Sequence, residues 1–394
     1  ARDVARTRCR LTGAALVLGS ATPDLCTYYK ALQGECTHLH LTSRPNGAAL
    51  PKVEIVDMRK ELEARNFSVL SRALQQALVM TAAAGEQAIV LLNRRGYSTF
   101  VMCRDCGQTI TCPHCAVAMV YHKKNEDLRC HYCGNTMPLP QECPNCHSCR
   151  IKYFGSGTQK AEEQLQQLPE VRVLRMDQDS TVAKFAHADI LRRFAGGAAN
   201  VLIGTQMVAK GHDIPNVTLV GVLAADSTLH LPDYRASERA FSLLTQAAGR
   251  AGRGDRPGHV IFQTYDPDNP ILQMAVTQDY DTFAKRELQE RKNYFYPPFA
   301  QMLKLQIVDK DEGAGLALAQ QVVFYLQSLK LQGKLEDLLI AGPFPSLVAK
   351  AYDLYRFNVL LKARDLRETK EALLNSEFKE KANLYFNVDP VSVI

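Results

Sequence analysis

The sequence lacks any hydrophobic run long enough to cross a membrane. A spanning helix needs roughly 18 consecutive apolar residues, and the 394 residues contain no such stretch. The opening residues, ARDVARTRCRL, also lack the apolar core and cleavage site of a secretory signal. We therefore expect a soluble protein of the cytoplasm with no membrane partner. Because reducing compartments do not sustain disulfides, the clustered spacing of nine of its twelve cysteines, between Cys103 and Cys149, points to metal binding.

The sequence also lacks the motifs with which an ATPase holds its nucleotide. GSGTQK, residues 155–160, resembles a phosphate-binding loop, but a Walker A motif needs GxxxxGK followed by Ser or Thr. Its glycines predict either a tight turn or an anion site at the start of the next helix. No DExx cluster follows a strand to hold magnesium, and the HxE and PCxxC pattern of zinc deaminases is absent. These absences argue against an ATPase built from this chain alone and against a zinc deaminase.

The composition is that of a folded, globular protein. Hydrophobic residues make up 46% and charged residues 22% of the chain, which excludes the polar composition of a disordered one. One core rarely organises more than about 250 to 300 residues, so we expect two or three domains. The net charge of +6 permits contact with nucleic acid but does not by itself indicate it.

Eight cysteines form four CxxC pairs within a short stretch of the chain. Each pair can place two thiolates on one tetrahedral ion, so the set predicts two Cys₄ zinc sites. Fourteen residues separate Cys115 from Cys130, close to the usual spacer between paired CxxC motifs, whereas only five separate Cys106 from Cys112. This spacing favours a nested arrangement, in which the first and last pairs form one site and enclose the two middle pairs along the chain. The inner site would use Cys112, Cys115, Cys130 and Cys133, and the outer site Cys103, Cys106, Cys143 and Cys146.

Four histidines in the same stretch are expected to be bystanders, because all eight cysteines are available: His114, His122, His131 and His147. Cys149 is a ninth thiol without a site. A catalytic zinc keeps one position open for water, which a Cys₄ set does not. The module is therefore expected to be structural, and either to contact DNA or a partner or simply to hold a loop together.

From about Pro51, apolar runs of strand length alternate with segments of helical period. This is the βαβ rhythm of a doubly wound parallel sheet. The predicted strands are 88–93, 171–176, 200–205, 217–226 and 259–265, and the predicted helices are 68–83, 158–168, 186–196 and 235–250. The cysteine-rich stretch interrupts the rhythm as an insertion. After Pro267 and Pro270 the pattern changes to that of a small α+β domain, with strands near 302–309 and 357–363 and helices near 311–330 and 364–376.

The N-terminal segment LVLGSATPD, residues 16–24, predicts a buried strand that runs into a polar turn. Such a strand needs neighbours. Only fifteen residues precede it, so its sheet is expected to be mostly absent or supplied by something else, and the chain is expected to be truncated.

Two segments carry candidate phosphate ligands. In QAAGRAGRGDRPG, residues 246–258, Arg250 and Arg253 would project from one face of a helix end, where guanidinium groups can grip a transferring phosphate; the alternative is a glycine-rich cap with solvated arginines. In IGTQMVAKGHDIP, residues 203–215, Thr205 and Gln206 follow a buried strand, which is where ligands bind in parallel sheets. Asp213 could accept a hydrogen bond from a ribose. The alternative is that Asp213 caps a turn and that Lys210 is a solvated charge.

Together these segments resemble superfamily 2 DNA helicases, and among them the replication-restart helicases of the primosomal protein N′ (PriA) family. GSATP (19–23) is similar to motif III, LLNRRGY (91–97) to motif IV, GTQMVAKGHD (204–213) to motif V and QAAGRAGR (246–253) to motif VI. The eight cysteines between motifs IV and V are similar to the zinc insertion of that family, whose sites are nested. ADSTLHLPDYRASER (225–239) and AGPFPSLVAKAYDLYRFNVLLKA (341–363) add to the resemblance.

The resemblance implies an α/β, RecA-like motor lobe with an inserted two-zinc module and a small C-terminal α+β domain. The implied parts are the tail of a first lobe (1–46), a second lobe (47–98 and 153–270), the zinc insertion (99–152) and the C-terminal domain (271–394). Arg253, with Arg250 and Gln246, would reach ATP and Mg²⁺ bound on the first lobe. Further implied nucleotide contacts are Asp213, Gly211, Ser20 and Thr22, and implied DNA contacts are Thr205, Gln206, Lys210, Arg94 and Arg95.

The activity implied by the resemblance is ATP-dependent 3′ to 5′ DNA unwinding in replication restart and primosome assembly. Its partners would be forked and single-stranded DNA, single-stranded DNA-binding protein and other primosome proteins, in the bacterial cytoplasm at the nucleoid, with the protein acting as a monomer. The Walker A lysine and the DEEH magnesium site of the family would belong before residue 1, so we expect no ATP turnover by this chain alone. The alternative is a non-enzymatic zinc- and DNA-binding adaptor, which an upstream Walker A would rule out.

Overall fold

The computed structural model describes residues 2–41, 50–92, 100–122, 126–153, 158–176, 186–205, 214–252 and 256–393. The chain divides into two compact units, Ala1–His40 and Leu41–Ile394. The helices are α1 Arg2–Thr12, α2 Leu25–Leu32, α3 Met58–Glu63, α4 Arg72–Ala83, α5 Thr158–Gln166, α6 Ala186–Ala195, α7 Asp226–Leu229, α8 Ala236–Ala248, α9 Pro270–Thr277, α10 Tyr280–Asn293, α11 Glu312–Leu331 and α12 Arg367–Leu374. In the part of the chain described, no helix combines the length and the apolar character needed to cross a bilayer.

The strands all lie in the second unit. They are β1 Lys52–Asp57, β2 Gln87–Leu92, β3 Val101–Cys103, β4 Val120–His122, β5 Asp127–Arg129, β6 Thr136–Pro138, β7 Ile151–Tyr153, β8 Val173–Met176, β9 Val201–Gly204, β10 Val217–Leu223, β11 His259–Thr264, β12 Gln301–Asp309, β13 Leu339–Ala351, β14 Leu354–Ala363 and β15 Leu384–Val388.

The N-terminal unit consists of α1, α2 and the segment between them. The prediction of a buried strand at 16–24 is wrong, because no strand forms in the described residues 2–41. Val17 is 86% exposed, and the segment has no neighbouring strand in this unit to satisfy its backbone groups. The turn after it is formed as predicted: Asp24 caps α2 by accepting a hydrogen bond from the Thr27 amide at 3.2 Å.

The main sheet has six parallel strands in the order β1-β11-β10-β2-β9-β8. Along β2, Ala88, Val90 and Leu92 pack with α4 and α5 in one core cluster, while Ile89 and Leu91, which point the other way, are buried as well. Both faces are therefore covered, as a parallel sheet requires. The predicted α/β fold class is confirmed.

Among the predicted boundaries of this lobe that differ from the structure, two have a clear physical reason. The helix predicted from residue 68 begins at Arg72, because the Ser71 side chain accepts a hydrogen bond from the Leu74 amide at 3.2 Å and caps the helix. The strand predicted to reach residue 226 ends at Leu223. There the chain turns through Ala224, whose φ is +51°, so that the buried Asp226 accepts from the Thr264 hydroxyl at 2.7 Å.

The C-terminal region contains a four-stranded antiparallel sheet in the order β13-β14-β12-β15. Apolar residues of α11 and α12 pack on the sheet in one buried cluster, which includes Leu305, Val322, Val359 and Leu373. Asp311 caps α11 by accepting from the Ala314 amide at 2.7 Å. The predicted small α+β domain is confirmed.

Candidate metal centres and motor-lobe site

The structure brings the eight predicted cysteine ligands together in two groups of four. One group is Cys112, Cys115, Cys130 and Cys133, and the other is Cys103, Cys106, Cys143 and Cys146. Within each group all sulfur atoms lie within 4.8 Å of one another. This is the nested arrangement that the spacing favoured, in which the second group encloses the first along the chain. We call them the inner and the outer cluster.

The sulfur geometry fits a tetrahedral metal ion. Sulfur atoms about 2.3 Å from one ion lie roughly 3.8 Å apart along the edges of a tetrahedron. In the outer cluster Cys103 Sγ lies 3.6 Å from Cys146 Sγ and Cys106 Sγ lies 3.5 Å from Cys143 Sγ; in the inner cluster Cys112 Sγ lies 3.7 Å from Cys133 Sγ. A disulfide would need about 2.05 Å. Four thiolates around one point are the ligand set of structural zinc.

Each CxxC pair is held by the same local turn. The residue after the second cysteine has a positive φ, and its amide donates to the carbonyl of the first cysteine at 2.9 to 3.0 Å. These residues are Gly107, Ala116, Gly134 and His147. Gly107 is needed for space as well, because a Cβ there would lie 2.4 Å from the Tyr265 carbonyl oxygen. The turn also directs amides at sulfur, as where Asp105 N donates to Cys103 Sγ at 3.4 Å, which stabilises a thiolate.

The two clusters differ in burial. Cys112 and Cys130 are each 1% exposed, and the inner cluster lies in a core with residues of the main lobe and the C-terminal domain, whereas Cys146 of the outer cluster is exposed. Burial protects a thiolate–metal bond from competing ligands and oxidants. The inner metal is therefore expected to exchange more slowly than the outer one.

No histidine joins either group within the described residues. His122 and His131 instead face each other, with their Nε2 atoms 3.0 Å apart. Burial lowers the pKa of His131 to about 4, so its ring is neutral at physiological pH. Cys149 is exposed and belongs to neither group.

The predicted nucleotide-contacting residues begin at the C-terminal end of α8. Gln246 lies in its last turn and donates to Ser242 Oγ at 2.8 Å, and Arg250 follows the helix. The Gly252 amide then donates at 3.1 Å to the carbonyl of Val217, the first residue of β10. This bond places the helix end at the amino edge of the parallel sheet. Arg253 lies outside the described residues, as do Gly211 and Asp213.

The predicted DNA-contacting residue Thr205 lies at the opposite edge. It directly follows β9, at the carboxyl edge of the sheet, and is 8% exposed. Gln206, Lys210, Arg94 and Arg95 lie outside the described residues. Ser20 and Thr22 belong to the N-terminal unit, where Ser20 Oγ accepts from the Thr22 amide at 3.1 Å. The structure thus places Gln246 and Arg250 near the amino edge of the sheet and Thr205 at its carboxyl edge.

Sequence reasoning missed the aromatic residues that surround the inner cluster. Tyr296 donates its hydroxyl to the Cys115 carbonyl at 3.2 Å, and burial raises the pKa of this phenol. The Lys362 ammonium lies 3.8 Å from the centre of the Tyr296 ring, and burial lowers its pKa to about 8. No pattern in the segment of Tyr296, YPPFA, residues 296–300, points to the cysteines.

Three family models match the chain in order. The PriA DNA helicase Cys-rich region (CRR) domain matches residues 112–138, the helicase conserved C-terminal domain residues 144–255, and the primosomal protein N C-terminal domain residues 292–391. Among solved structures, RecG bound to a three-way DNA junction is similar with a TM-score of 0.39 and 13% identity, over 69% of this chain and 26% of that one. A likeness this low carries no argument.

Curated relatives are far more similar. Replication restart protein PriA of Bacillus subtilis is 46% identical over 92% of this chain and 45% of its own length, and that of Synechocystis is 43% identical over 92% and 44%. PriA of Chlamydia muridarum is 37% identical over 100% and 53%. The chain spans about half the length of the curated relatives it matches. The order of the three matched domains, with this identity across at least 92% of the sequence, shows that the chain belongs to the PriA family of replication restart proteins.

Proposed function

We propose that this chain carries the second RecA-like motor lobe, two zinc ions and the C-terminal domain of an ATP-driven DNA helicase. The whole protein would unwind forked DNA in the 3′ to 5′ direction at stalled replication forks, in the bacterial cytoplasm at the nucleoid. One observation carries the proposal: two Cys₄ clusters interrupt a parallel sheet whose helix α8 is followed in sequence by GRAGR, in a chain of the PriA family.

The two edges of the sheet suit two different partners. At the amino edge, Arg250 and Arg253, with Gln246, would bind the γ-phosphate of ATP that the other motor lobe holds with Mg²⁺, and Asp213 and Gly211 would face the nucleotide. Guanidinium groups there stabilise the negative charge of the transferring phosphoryl group.

At the carboxyl edge, Thr205 and Gln206, helped by Lys210, Arg94 and Arg95, would hold the DNA backbone. The parallel sheet makes the lobe rigid. A shift that ATP binding imposes on one edge of the sheet would therefore move the other edge along the DNA. Ser20 and Thr22, by resemblance, would couple the two lobes. Single-stranded DNA-binding protein and other primosome proteins are the further partners that the family suggests.

Both zinc ions would be structural. Four thiolates fill all four positions of a tetrahedral ion and leave no place for a reactive water. Since the inner cluster has residues of the main lobe and the C-terminal domain in its core, its ion would hold these parts together.

We expect about two zinc ions per chain in the purified protein. Eight thiolates in two tetrahedral groups bind two ions, and a cluster without a cation would leave several buried thiols beside one another. Elemental analysis against protein concentration measures the ratio. Changing Cys149 to Ser is the matched control and should leave the ratio at two, because that thiol belongs to neither cluster. A ratio near zero or one would contradict the double site.

The activity itself is tested on the complete protein that contains this chain. We expect DNA-stimulated ATP hydrolysis and unwinding of forked duplexes by the complete protein, and no turnover by residues 1–394 alone, since these lack a Walker A motif. If the complete protein binds forked DNA but hydrolyses no ATP, the helicase proposal fails and the chain is better described as a zinc- and DNA-binding adaptor.

A further inference from the structure

Three tyrosines connect the inner cluster to helix α8. Tyr132 stands between Cys130 and Cys133, so the inner cluster fixes its backbone, and its side chain is 1% exposed. Its hydroxyl oxygen accepts a hydrogen bond at 3.1 Å from the amide of Tyr234, two residues before α8. Residues about one hundred positions apart are thus joined by a single buried bond.

Tyr296 completes this connection from the C-terminal side. Its ring stacks on Tyr234 with centroids 4.9 Å apart and an interplanar angle of 14°, and meets Tyr132 edge-on at 6.0 Å. Its hydroxyl donates to the carbonyl of Cys115, another residue of the inner cluster. Two of the contacts that hold Tyr234, the hydrogen bond from its amide and the stacked ring of Tyr296, thus come from groups anchored on the inner cluster.

The first turn of α8 is held by buried charges as well. Arg291, 2% exposed, pairs with Glu238 at 2.8 Å and with Glu287 at 3.1 Å, and its guanidinium lies 5.1 Å from the centre of the Tyr234 ring. Asp233 pairs with Arg239 at 3.2 Å. Because Arg291 and its two glutamate partners have little exposure to solvent, their pairs fix the direction of the helix more than a surface pair would.

At its other end α8 carries the residues proposed to act on ATP. The helix has 13 residues, about 20 Å at 1.5 Å per residue, and Gln246 and Arg250 lie at or just beyond its C-terminus. An α-helix transmits a change of angle or position at one end to the other, since backbone hydrogen bonds link each turn to the next.

We propose that Tyr132 is a positioning residue that sets the orientation of α8, and with it Arg250, from the inner metal site. The Tyr132 hydroxyl does not touch nucleotide. It satisfies the buried Tyr234 amide and so keeps the start of α8 at a fixed distance from the inner cluster. Among the described residues, none of those between the paired cysteines of the outer cluster belongs to this core. The role assigned to Arg250 rests on the proposed function, whereas the link between Tyr132 and α8 does not.

Hydrogen exchange on the zinc-loaded chain tests the link directly. Tyr132→Phe keeps the ring and removes the hydroxyl that accepts the hydrogen bond from the buried Tyr234 amide. We expect amides of Ala236–Ala248 to exchange about five- to thirtyfold faster, with the strands of the main sheet unchanged. Tyr325→Phe is the matched control: its hydroxyl donates to the Ala372 carbonyl, also at 3.1 Å, within the C-terminal domain, so exchange in α8 should stay at the wild-type rate.

Two results would overturn the proposal: unchanged exchange in α8, or an equal increase over the whole chain, which would make Tyr132 an ordinary core residue. Tyr296→Phe keeps the test decisive should Tyr132→Phe not fold. It removes the bond to the Cys115 carbonyl and is expected to raise exchange in the same helix, and failure to do so would also refute the link.

A kinetic readout on the complete protein separates positioning from stability. Tyr132→Phe should lower kcat for ATP hydrolysis severalfold and leave KM for ATP within twofold, because the nucleotide is held elsewhere; Tyr325→Phe should change neither. An altered KM with an unchanged kcat would contradict the positioning role. Should the complete protein hydrolyse no ATP, the proposed function fails, while the exchange result still decides the link.

Discussion

In the complete protein, Arg253→Ala is expected to lower kcat for DNA-stimulated ATP hydrolysis by about 10³-fold or more. An arginine supplied across an interface to a transferring phosphoryl group is worth roughly 10³ to 10⁵ in rate. The expected loss lies in kcat because the guanidinium meets charge that develops only in the transition state. Lysine should restore little, since it cannot present a planar pair of donors. Steady-state kinetics with saturating DNA measures the effect.

The matched control is Arg192→Ala. This arginine also lies near the end of a helix of the motor lobe, but its side chain is 78% exposed and pairs only weakly with Asp189 at 3.7 Å. Its removal should change neither hydrolysis nor DNA affinity. Unchanged turnover in Arg253→Ala, or an equal loss in both variants, would contradict the proposed role. DNA affinity of Arg253→Ala, measured by fluorescence anisotropy, should stay within about twofold.

Loss of the inner cluster is expected to be the most destabilising change in this chain. Structural zinc contributes about 10 to 16 kcal/mol of binding free energy that is also folding free energy, and a whole domain is stable by only about 5 to 15 kcal/mol. Cys130→Ser would open a cluster whose neighbours in the core include Tyr132, Tyr296 and Met302. We expect it to lose the cooperative thermal transition of the chain, followed by circular dichroism.

Cys146→Ser is the comparison for this variant. It also removes one ligand of four, but from the exposed edge of the outer cluster. We expect it to lose about one zinc ion and to keep the main unfolding transition, with Tm lowered by a few degrees. Equal destabilisation by the two substitutions would show that burial does not distinguish the sites.

Local sequence patterns were sufficient for five of the six strands of the main sheet, and only β1 was not predicted. The apolar run AIVLLN became β2 and VTLVGVL became β10, because an unbroken buried strand needs little beyond its own residues and a covered sheet. The CxxC spacing also predicted which cysteines share a cluster, since five residues between Cys106 and Cys112 disfavour closing those two pairs on one ion.

Other features depend on partners distant in sequence. The segment at 16–18 has the composition of a strand, yet without a neighbouring strand in its unit it stays extended and exposed. The end of β10 is set by the bond from Thr264 to Asp226, which no local pattern reveals. Sequence spacing likewise could not show that the inner cluster is more deeply buried than the outer one, because its burial comes from Tyr234 and Tyr296, both more than 100 residues away.

A structure of the complete protein with a non-hydrolysable ATP analogue tests whether this chain forms one half of a nucleotide clamp. If it does, the guanidinium of Arg253 or Arg250 is expected to lie within hydrogen-bond distance, about 3 Å, of a γ-phosphate oxygen. A nucleotide bound between the lobes with both arginines directed away from the phosphates would contradict it.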